Sequence, residues 1–547
     1  MPALPRTTLE RTLRRGRQRG SGLDGNYYQL AYGPGEPRVV RTDLAPVAQG
    51  GERAPASLLR LAHLTDPQIT DVQSPGRFEF LDGVRGLPGA SVFVPATRPQ
   101  EALAVHAMAA MLDTINRIPP AAETGAPLSL FLSTGDNIDN AQLNELQWFL
   151  TLLSGGSITP NSGGPGYQGV QAPDWEPGPY WRPDPGPDPF KDRWGFPASP
   201  GLLTEALKPL SPPGLAIPWL SCFGNHDGLV LGMAVPTPGY ERVLGGNRKP
   251  ARLPGGADPV ALAEAFLARP ELLLSGGALP VTRDTDRVTV GRRAFVEAYL
   301  AAPGAPAGHG YTRWNAEHET AYGVHDIGGA VPLRVLLLDT TNLDGFYEGS
   351  IGLRQSRWLE ERLREVHSGH VDADGRWVAT GAGDRLVVLA SHHGLATMVN
   401  DRKQPEGLED DHPRLTAAAV RALLHRFPNV VLWLNGHRHV NDVQARPDPA
   451  GRTGGFWEVS TSAIADWPCQ ARLVELVADG AGGLTVLCTM LDADTPADPG
   501  EASGEGRLAA LHRELAANYP YGGMDSGSGG SPADRNVALA LRAPFGL

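Results

Sequence analysis

The sequence predicts an α/β protein whose strands end in polar turns. Short apolar segments alternate along the chain with segments of helical periodicity. Five of the apolar segments run directly into Asp, Asn, Gln or His residues. Alternating strands and helices predict sheets whose carboxyl ends lie on one side, where the sites of α/β proteins gather. We therefore expect these polar residues to meet at one edge of the fold.

The individual elements follow from apolar runs and from apolar residues at helical spacing. Strands are predicted at residues 58–64, 128–132, 214–220, 331–339, 386–390 and 430–434, with sheet-closing strands up to about residue 490. Helices are predicted at residues 101–118, 141–153, 259–274, 291–301 and 505–517, and one more begins near residue 352. His63 lies inside the first strand and is expected to belong to the core.

The first two strands lead into acidic turns. Asp66 and Gln68 follow the first strand two residues apart, so in extended chain their side chains share a face and can point at one ion. The second strand ends in Ser-Thr-Gly-Asp, in which the glycine allows a sharp turn that presents Asp136. Asp139 and Asn140 follow, and a place near substrate or the capping of a turn explains both equally well.

The third strand ends in Cys-Phe-Gly-Asn-His-Asp, at residues 222–227. The amide oxygen of Asn225 is a suitable ligand for a hard cation, and His226 beside it can reach a substrate on that cation. Asp227 can hold the imidazole in one tautomer and favour its protonated form. An ordinary strand-end turn with capping residues explains this stretch equally well when it is taken alone. The similar ends of the other strands favour a site.

The last two strand ends supply histidines. His392 and His393 directly follow the strand at residues 386–390, and His437 and His439 follow the strand at residues 430–434. Each of these patterns is a weak signal alone. Five strand ends of this kind in one chain are a strong signal.

These segments resemble the calcineurin-like metallophosphoesterase superfamily. Its blocks run Asp-x-His, Gly-Asp-x-x-Asp, Gly-Asn-His-Asp/Glu, His and Gly-His-x-His, and the match covers roughly residues 58–475. Residues 336–359, with a Leu-Asp pair and a later Gln-x-x-Trp-Leu, are similar to bacterial phosphodiesterase-type members. The resemblance implies a four-layer α/β/β/α sandwich, here with long loop insertions, that carries a dinuclear metal site at one edge.

The resemblance also assigns roles by position. One metal would be held by Asp66, Gln68, Asp136 and His439, and the other by Asp136, Asn225, His392 and His437. His226 would be the general acid, oriented by Asp227. We choose His392 over His393 as the ligand because it directly follows the strand. Asn140 and His393 are expected to contact substrate.

The implied reaction is hydrolysis of a small-molecule phosphodiester, phosphomonoester or diphosphate by a hydroxide that two divalent metals activate. Gln68 stands where most members have His, and its neutral carbonyl oxygen suits Mn²⁺ or Mg²⁺ better than imidazole would. A similar Asp-x-Gln occurs in the manganese-dependent ADP-ribose/CDP-alcohol diphosphatase branch. We therefore expect manganese, with iron, zinc and magnesium as alternatives, and favour a diester or diphosphate substrate.

Two other functions compete with this interpretation. A non-catalytic member that binds a nucleotide or a partner would have lost Asp136, Asn225 or the final His pair, and all are present. A nuclease needs clustered Lys and Arg for phosphate backbones, whereas this chain has a formal net charge of −12.

Composition also limits the setting. The three cysteines show no metal-finger spacing and no disulfide framework. No apolar stretch reaches the length of a membrane span, and no secretory signal is visible. We expect a cytoplasmic protein, and the sequence leaves its oligomeric state open.

We divide the chain into an N-terminal extension at residues 1–57, a catalytic domain at residues 58–490 and a C-terminal helix with a flexible tail at residues 491–547. Insertions are expected at about residues 154–200 and 230–320.

Two of these segments carry specific expectations. Residues 7–15 are predicted to form a short helix, because Thr7 and Glu10 have capping-box spacing. The arginines there favour an arm lying on the acidic body over a nucleic-acid or membrane contact. The aromatic residues of the 154–200 insertion predict either a flap that stacks a ring or a loop pinned to the surface.

Overall fold

The computed structural model covers most of the chain. It describes residues 4–47, 54–85, 96–253, 255, 258–329, 331–342, 344–402, 412–480 and 482–547. Residues 1–3 and 48–53 of the expected N-terminal extension lie outside the described residues.

The described ranges contain nineteen strands and eleven α-helices. The strands are β1 (Arg11–Ser21), β2 (Asn26–Pro34), β3 (Val39–Arg41), β4 (Ala56–Leu64), β5 (Leu130–Ser133), β6 (Trp219–Ser221), β7 (Arg248–Pro250), β8 (Ala278–Pro280), β9 (Gly323–Ile327), β10 (Leu333–Leu338), β11 (Gly369–Val371), β12 (Trp377–Ala379), β13 (Leu386–Ser391), β14 (Val430–Asn435), β15 (Asp442–Arg446), β16 (Phe456–Ser460), β17 (Ala471–Ala478), β18 (Gly483–Leu491) and β19 (Val537–Arg542). The helices are α1 (Ala104–Arg117), α2 (Leu143–Ser154), α3 (Pro189–Trp194), α4 (Leu202–Ala206), α5 (Pro238–Leu244), α6 (Pro259–Ala268), α7 (Arg292–Ala301), α8 (Arg313–Glu317), α9 (Leu353–Arg364), α10 (Ala417–Leu424) and α11 (Gly504–Asn518).

Two large sheets position the strand ends. One has the order β15-β16-β14-β13-β10-β9, and the other has the order β3-β19-β18-β17-β4-β5-β6. In the first sheet β10, β13, β14 and β16 are parallel, and in the second β4, β5 and β6 are parallel. Parallel neighbours place their carboxyl ends at the same edge. Three of the predicted polar turns therefore leave one sheet side by side, and the other two leave the second sheet.

The alternation of side chains along the strands builds the layers. Along β13, Leu386, Val388 and Ala390 belong to the core shared with the seven-stranded sheet. Val387 and Leu389 point the other way and pack with α9 and α10. Helices α1 and α2 join the shared core together with the seven-stranded sheet. The predicted α/β sandwich, two sheets packed face to face with helices outside, is confirmed.

The strand before the central turn is shorter than predicted. A strand was expected at residues 214–220, but β6 begins only at Trp219. Pro218 has no N–H group to donate to a neighbouring strand, which limits pairing before that point.

The N-terminal arm is a β-hairpin, so the predicted helix at residues 7–15 was wrong. The backbone N–H of Thr7 donates to Glu10 Oε2 at 2.8 Å, but this contact closes only a turn. Beyond it β1 pairs with β2, since tertiary pairing overrides the local capping signal. Arg11 donates to Asp494 at 2.8 Å and stacks on Tyr32 of β2. The hairpin thus lies on acidic groups of the body, as the favoured interpretation of its charge expects.

The C-terminal region corrects a second expectation. Beyond α11 the chain was expected to be a flexible tail, but it includes β19, which lies between β18 and β3 in the seven-stranded sheet. Val537 and Leu539 are fully buried there. The boundaries of the three predicted regions stay a prediction.

The insertion at residues 154–200 is pinned by its aromatic side chains. Trp175, Tyr180 and Trp181 are all buried, and Trp181 packs in one cluster with α11. This arrangement favours the pinned loop over a stacking flap.

No helix in the described ranges is both long and apolar enough to cross a membrane.

Replacing Leu539 by Ala tests whether β19 is part of the core. We expect the free energy of unfolding to fall by about 2–5 kcal/mol, because the variant leaves a cavity in a buried strand. Urea denaturation measures this loss. Arg542→Ala, at the exposed end of the same strand, is the control and should change it by less than about 0.5 kcal/mol. Equal, small effects of both variants would mean that this end of the chain is a loose tail.

Candidate metal centre

The polar turns from both sheets meet in one buried cluster. Asp66, Asp136 and His392 each offer one ligand atom, and these atoms lie within 4.8 Å of one another. Two backbone contacts join the sheets here. The backbone N–H of His437 donates to Asp66 Oδ2 at 3.0 Å, and His392 Nδ1 donates to the carbonyl of Thr134 at 2.9 Å. The sequence-predicted ligands are therefore brought together by the fold.

The closeness of these turns depends on Gly224. A Cβ atom at this position would lie 2.2 Å from Asp136 Oδ1 and 2.3 Å from the backbone nitrogen of Asp136. Both distances are far inside contact range, so any side chain would push the third strand end away from the second. The glycine of the Gly-Asn-His-Asp turn is thus required by packing at the centre.

Backbone strain is concentrated on the predicted ligands. Asp66, Gln68, Asp136, His437 and His439 all have positive φ angles, between 42° and 67°. A non-glycine residue in this region costs on the order of 1–3 kcal/mol. Such strain persists where the surrounding structure enforces it, and it occurs at five of the predicted ligands.

Opposite charges alternate through the cluster. Asp66 Oδ1 lies 3.1 Å from His439 Nε2, and Asp136 Oδ2 lies 3.2 Å from His392 Nε2. Burial alone would raise the pKa of Asp136, but the neighbouring His392 and His226 lower its pKa. Burial likewise disfavours a charged His392, yet Asp136 and Asp66 raise its pKa to about 9. Asp66 and Asp466 raise the pKa of His439 to about 10 against the same burial effect.

Two buried amide oxygens fit a metal site. Gln68 Oε1 and Asn225 Oδ1 have no hydrogen-bond partner in the described part of the chain. An unpaired buried polar atom costs about 1–3 kcal/mol unless a partner satisfies it. The Asn225 amide nitrogen donates to the carbonyl of Gly232 at 3.0 Å, which leaves its oxygen as the free end. Carboxylate, imidazole and amide oxygen ligands together suit divalent cations.

His226 lies at the wall of the same centre. Its Nδ1–H donates to the carbonyl of Asp139 at 2.6 Å, so Nε2 is the nitrogen free for chemistry. Nε2 is 3.9 Å from Asp136 Oδ2. Gly232 packs directly against the ring, since a Cβ there would lie 2.5 Å from Nε2. The backbone of Asp139 and the Gly232 turn together fix the imidazole.

This geometry corrects the expected role of Asp227. Its carboxylate accepts hydrogen bonds from the backbone N–H groups of Asn137, Ile138 and Gly224, at 2.8–3.2 Å. The expectation that Asp227 orients His226 was wrong, because a carboxylate enclosed by these donors ties two turns together instead.

Asn140 and His393 are also enclosed. Asn140 Oδ1 accepts from the backbone N–H of Leu231 at 2.8 Å, next to the Gly232 turn. The ring nitrogens of His393 contact Thr340 Oγ1 and the carbonyl of Tyr347, both at 2.8 Å. Neither side chain is exposed. This corrects the expectation that they bind substrate, and the occupied ring of His393 favours His392 as the ligand.

A cavity of about 550 Å³ opens over the cluster. Its lining includes Gln68, Asp136, Asn225, His226, His437 and His439. No residue of the 154–200 insertion contributes to this lining. A volume of this size matches the pockets that hold small molecules.

Two solved phosphatase structures match the chain. One is a dimetal phosphatase from Danio rerio, with 10% identity, a TM-score of 0.30, and coverage of 80% of this chain and 100% of that one. The other is a purple acid phosphatase from yellow lupin seeds, with 10% identity, a TM-score of 0.29, and coverage of 85% of this chain and 54% of that one. No family model and no curated protein matches the chain. Similarities this distant assign no function.

Sequence reasoning missed Asp466. Its Oδ2 lies 2.6 Å from His439 Nδ1, and its Oδ1 accepts from Arg98 Nε at 2.8 Å. Burial opposes the charged form, but Arg98 and His439 lower the pKa of Asp466. A carboxylate in this position fixes the ring of a metal-binding histidine and raises its basicity. Asp466 lies in a loop after β16 with no recognisable motif, so only the fold reveals it.

Replacing Asp466 by Asn should weaken metal binding about 10- to 100-fold, because His439 loses its anionic partner. Competition with a chelator of known affinity measures the change. Asp442→Asn removes a carboxylate that pairs with Arg438 at 3.1 Å, outside the cluster, and should leave metal affinity unchanged. An Asp466→Asn protein with wild-type affinity would rule out this role.

Metal binding should release protons. With pKa values of about 9 and about 10, His392 and His439 carry protons at pH 7 and must lose them to become ligands. We expect release of up to about two protons per chain at pH 7, and weaker binding as the pH falls. Calorimetric titration in buffers of different ionisation enthalpy measures this number. A binding enthalpy that is the same in every buffer would contradict it.

Proposed function

We propose that the protein is a metal-dependent phosphoester hydrolase of the calcineurin-like metallophosphoesterase superfamily. The observation that supports this most strongly is the meeting of five strand ends at one cavity, with strained ligands and two unpaired amide oxygens. A site of this composition is built to hold cations, and a buried cation pair beside a small cavity suits the binding of an anionic substrate.

The proposed ligand sets follow the sequence expectation. Asp66, Gln68, Asp136 and His439 would hold one ion, and Asp136, Asn225, His392 and His437 would hold the other. The oxygen-rich set favours Mn²⁺. When bound, two divalent ions supply Lewis acidity that polarises a phosphoryl group and makes water a nucleophile at neutral pH.

His226 is the proposed proton donor to the leaving group. The Asp139 carbonyl accepts from Nδ1–H, so Nε2 is the nitrogen that would carry the reactive proton, and His226 lines the cavity. When the P–O bond breaks, the alcohol would depart as an alkoxide, which is a poor leaving group unless its oxygen gains a proton, and a proton on His226 Nε2 would be donated to it. The Gly232 turn keeps the ring from rotating away.

The experiment restores single metals to metal-free protein and measures release of p-nitrophenol from the nitrophenyl esters and formation of AMP and ribose 5-phosphate from ADP-ribose. Substrates are bis-p-nitrophenyl phosphate, p-nitrophenyl phosphate and ADP-ribose, which separate diesterase, monoesterase and diphosphatase activities. We expect turnover with Mn²⁺. Asp136→Asn should lower the turnover rate by more than about 100-fold, which is the largest effect expected from losing a residue that only supports a metal ligand.

His226→Asn separates the proton donor from the ligands. We expect normal metal content but a lower kcat, with the larger loss for substrates whose alcohol is a poor leaving group. Full metal occupancy without turnover of any substrate in the wild-type protein would favour the non-catalytic binding function. Absence of bound metal under all conditions would overturn the proposal.

A further inference from the structure

We propose that Tyr521 is a stacking surface for the organic group of the substrate, and that this group carries an aromatic or heteroaromatic ring. The inference rests on the proposed function and extends it to a substrate class. It concerns the segment at residues 519–522, which joins α11 to the end of the chain and was not singled out by the sequence.

Tyr521 is held firmly although its side chain is exposed. The Arg85 guanidinium lies 4.0 Å from the centre of its ring, and the rings of Trp194 and Tyr519 pack against it at 5.6 Å. Arg85 is itself fixed by a hydrogen bond to Asp82 Oδ1 at 2.7 Å. Even so, 47% of Tyr521 remains exposed. A large ring that is fixed by three neighbours and still accessible is preorganised for binding, since little conformational entropy is lost when a ligand contacts it.

The Tyr521 side chain lines the cavity of about 550 Å³ over the candidate ligands, which we call the metal cavity. The apolar and aromatic residues of that lining include Leu231, Met233, Tyr347 and Tyr519. Tyr347 is close to the ligands, with its ring 6.2 Å from that of His437 and nearly parallel to it. The lining therefore combines polar residues that suit a phosphoryl group with apolar and aromatic side chains that suit the attached organic group.

A second cavity gives this group further room. It measures about 460 Å³ and shares Tyr519, Tyr521 and Gly522 with the metal cavity. Tyr521 thus borders both spaces. Flat rings stack on aromatic side chains whatever their substituents, whereas aliphatic groups gain only general apolar contact. This difference is why the surface favours a nucleoside or another ring-bearing phosphoester over a simple polyol phosphate.

The insertion at residues 154–200 contributes indirectly. Most of its aromatic residues are buried, but Trp194 packs against Tyr521 with an interplanar angle of 77°. The insertion thereby orients Tyr521 and lines the second cavity through Trp194, whereas none of its residues lines the metal cavity.

The test compares two non-hydrolysable phosphonates that differ only in a base: the analogues of adenosine 5′-monophosphate and of ribose 5-phosphate. Each is titrated calorimetrically into manganese-loaded protein. We expect the adenosine analogue to bind more tightly. Tyr521→Ala should weaken it by about 5- to 100-fold and leave the ribose analogue unchanged. Tyr521→Phe keeps the ring and should bind both analogues as the wild-type protein does.

Two results would overturn the proposal. If Tyr521→Ala weakens the binding of both analogues equally, the residue only supports the fold. If it weakens the binding of neither analogue, Tyr521 does not contact the ligand. Thermal melting of each variant checks that the fold is intact. A failure of the proposed function gives a different result, because both analogues would then bind the metal-free protein as well as the manganese-loaded protein.

Discussion

The concentration of charge at the meeting of the two sheets is the constraint on which the site depends. Asp66 and Asp136 are both buried, and burial and the like charge of Asp136 act to raise the pKa of Asp66, although His439 and His392 lower that pKa overall. Protonated His392 and His439 offset this repulsion within the chain itself. Divalent cations would do so more strongly, and the same carboxylates would then become ligands. The two carboxylates are therefore balanced by positive charge whether the cluster holds protonated histidines or would hold divalent cations.

Such a cluster forms only if turns from two sheets approach closely. Gly224 allows the third strand end to contact Asp136 directly, and positive φ angles turn Asp66 and His437 inward. This strain is offset by the large shared core of the two sheets, which holds the strands in register. The stable sandwich and the strained centre are thus two parts of one arrangement, in which packing energy maintains an unfavourable local geometry.

The sequence predicted those features of the structure that depend on residues close together in the chain. Each polar turn directly follows its apolar strand in the chain, so the gathering of these turns at one edge was accessible without coordinates, whereas the layer order was implied only by the family resemblance. The support of His226 was not accessible, because it comes from a backbone carbonyl and from the bare Cα of Gly232. Asp466 was missed since a lone carboxylate in a loop carries no pattern. The β-hairpin was mispredicted because the pairing of β1 with the following strand β2 overrides the capping signal of Thr7 and Glu10, and β19 was mispredicted because its partners β18 and β3 lie far away in the chain.

This division between local and distant information extends to function. The candidate ligands lie in strand-end turns, whereas the second cavity is bordered by segments from both ends of the chain. The second cavity is bordered by the N-terminal hairpin and by residues 517–526, and Arg15 of the hairpin pairs with Asp525. Neither end borders the cavity alone. Changes at the chain ends can therefore alter the shape of the second cavity while the charge cluster stays intact.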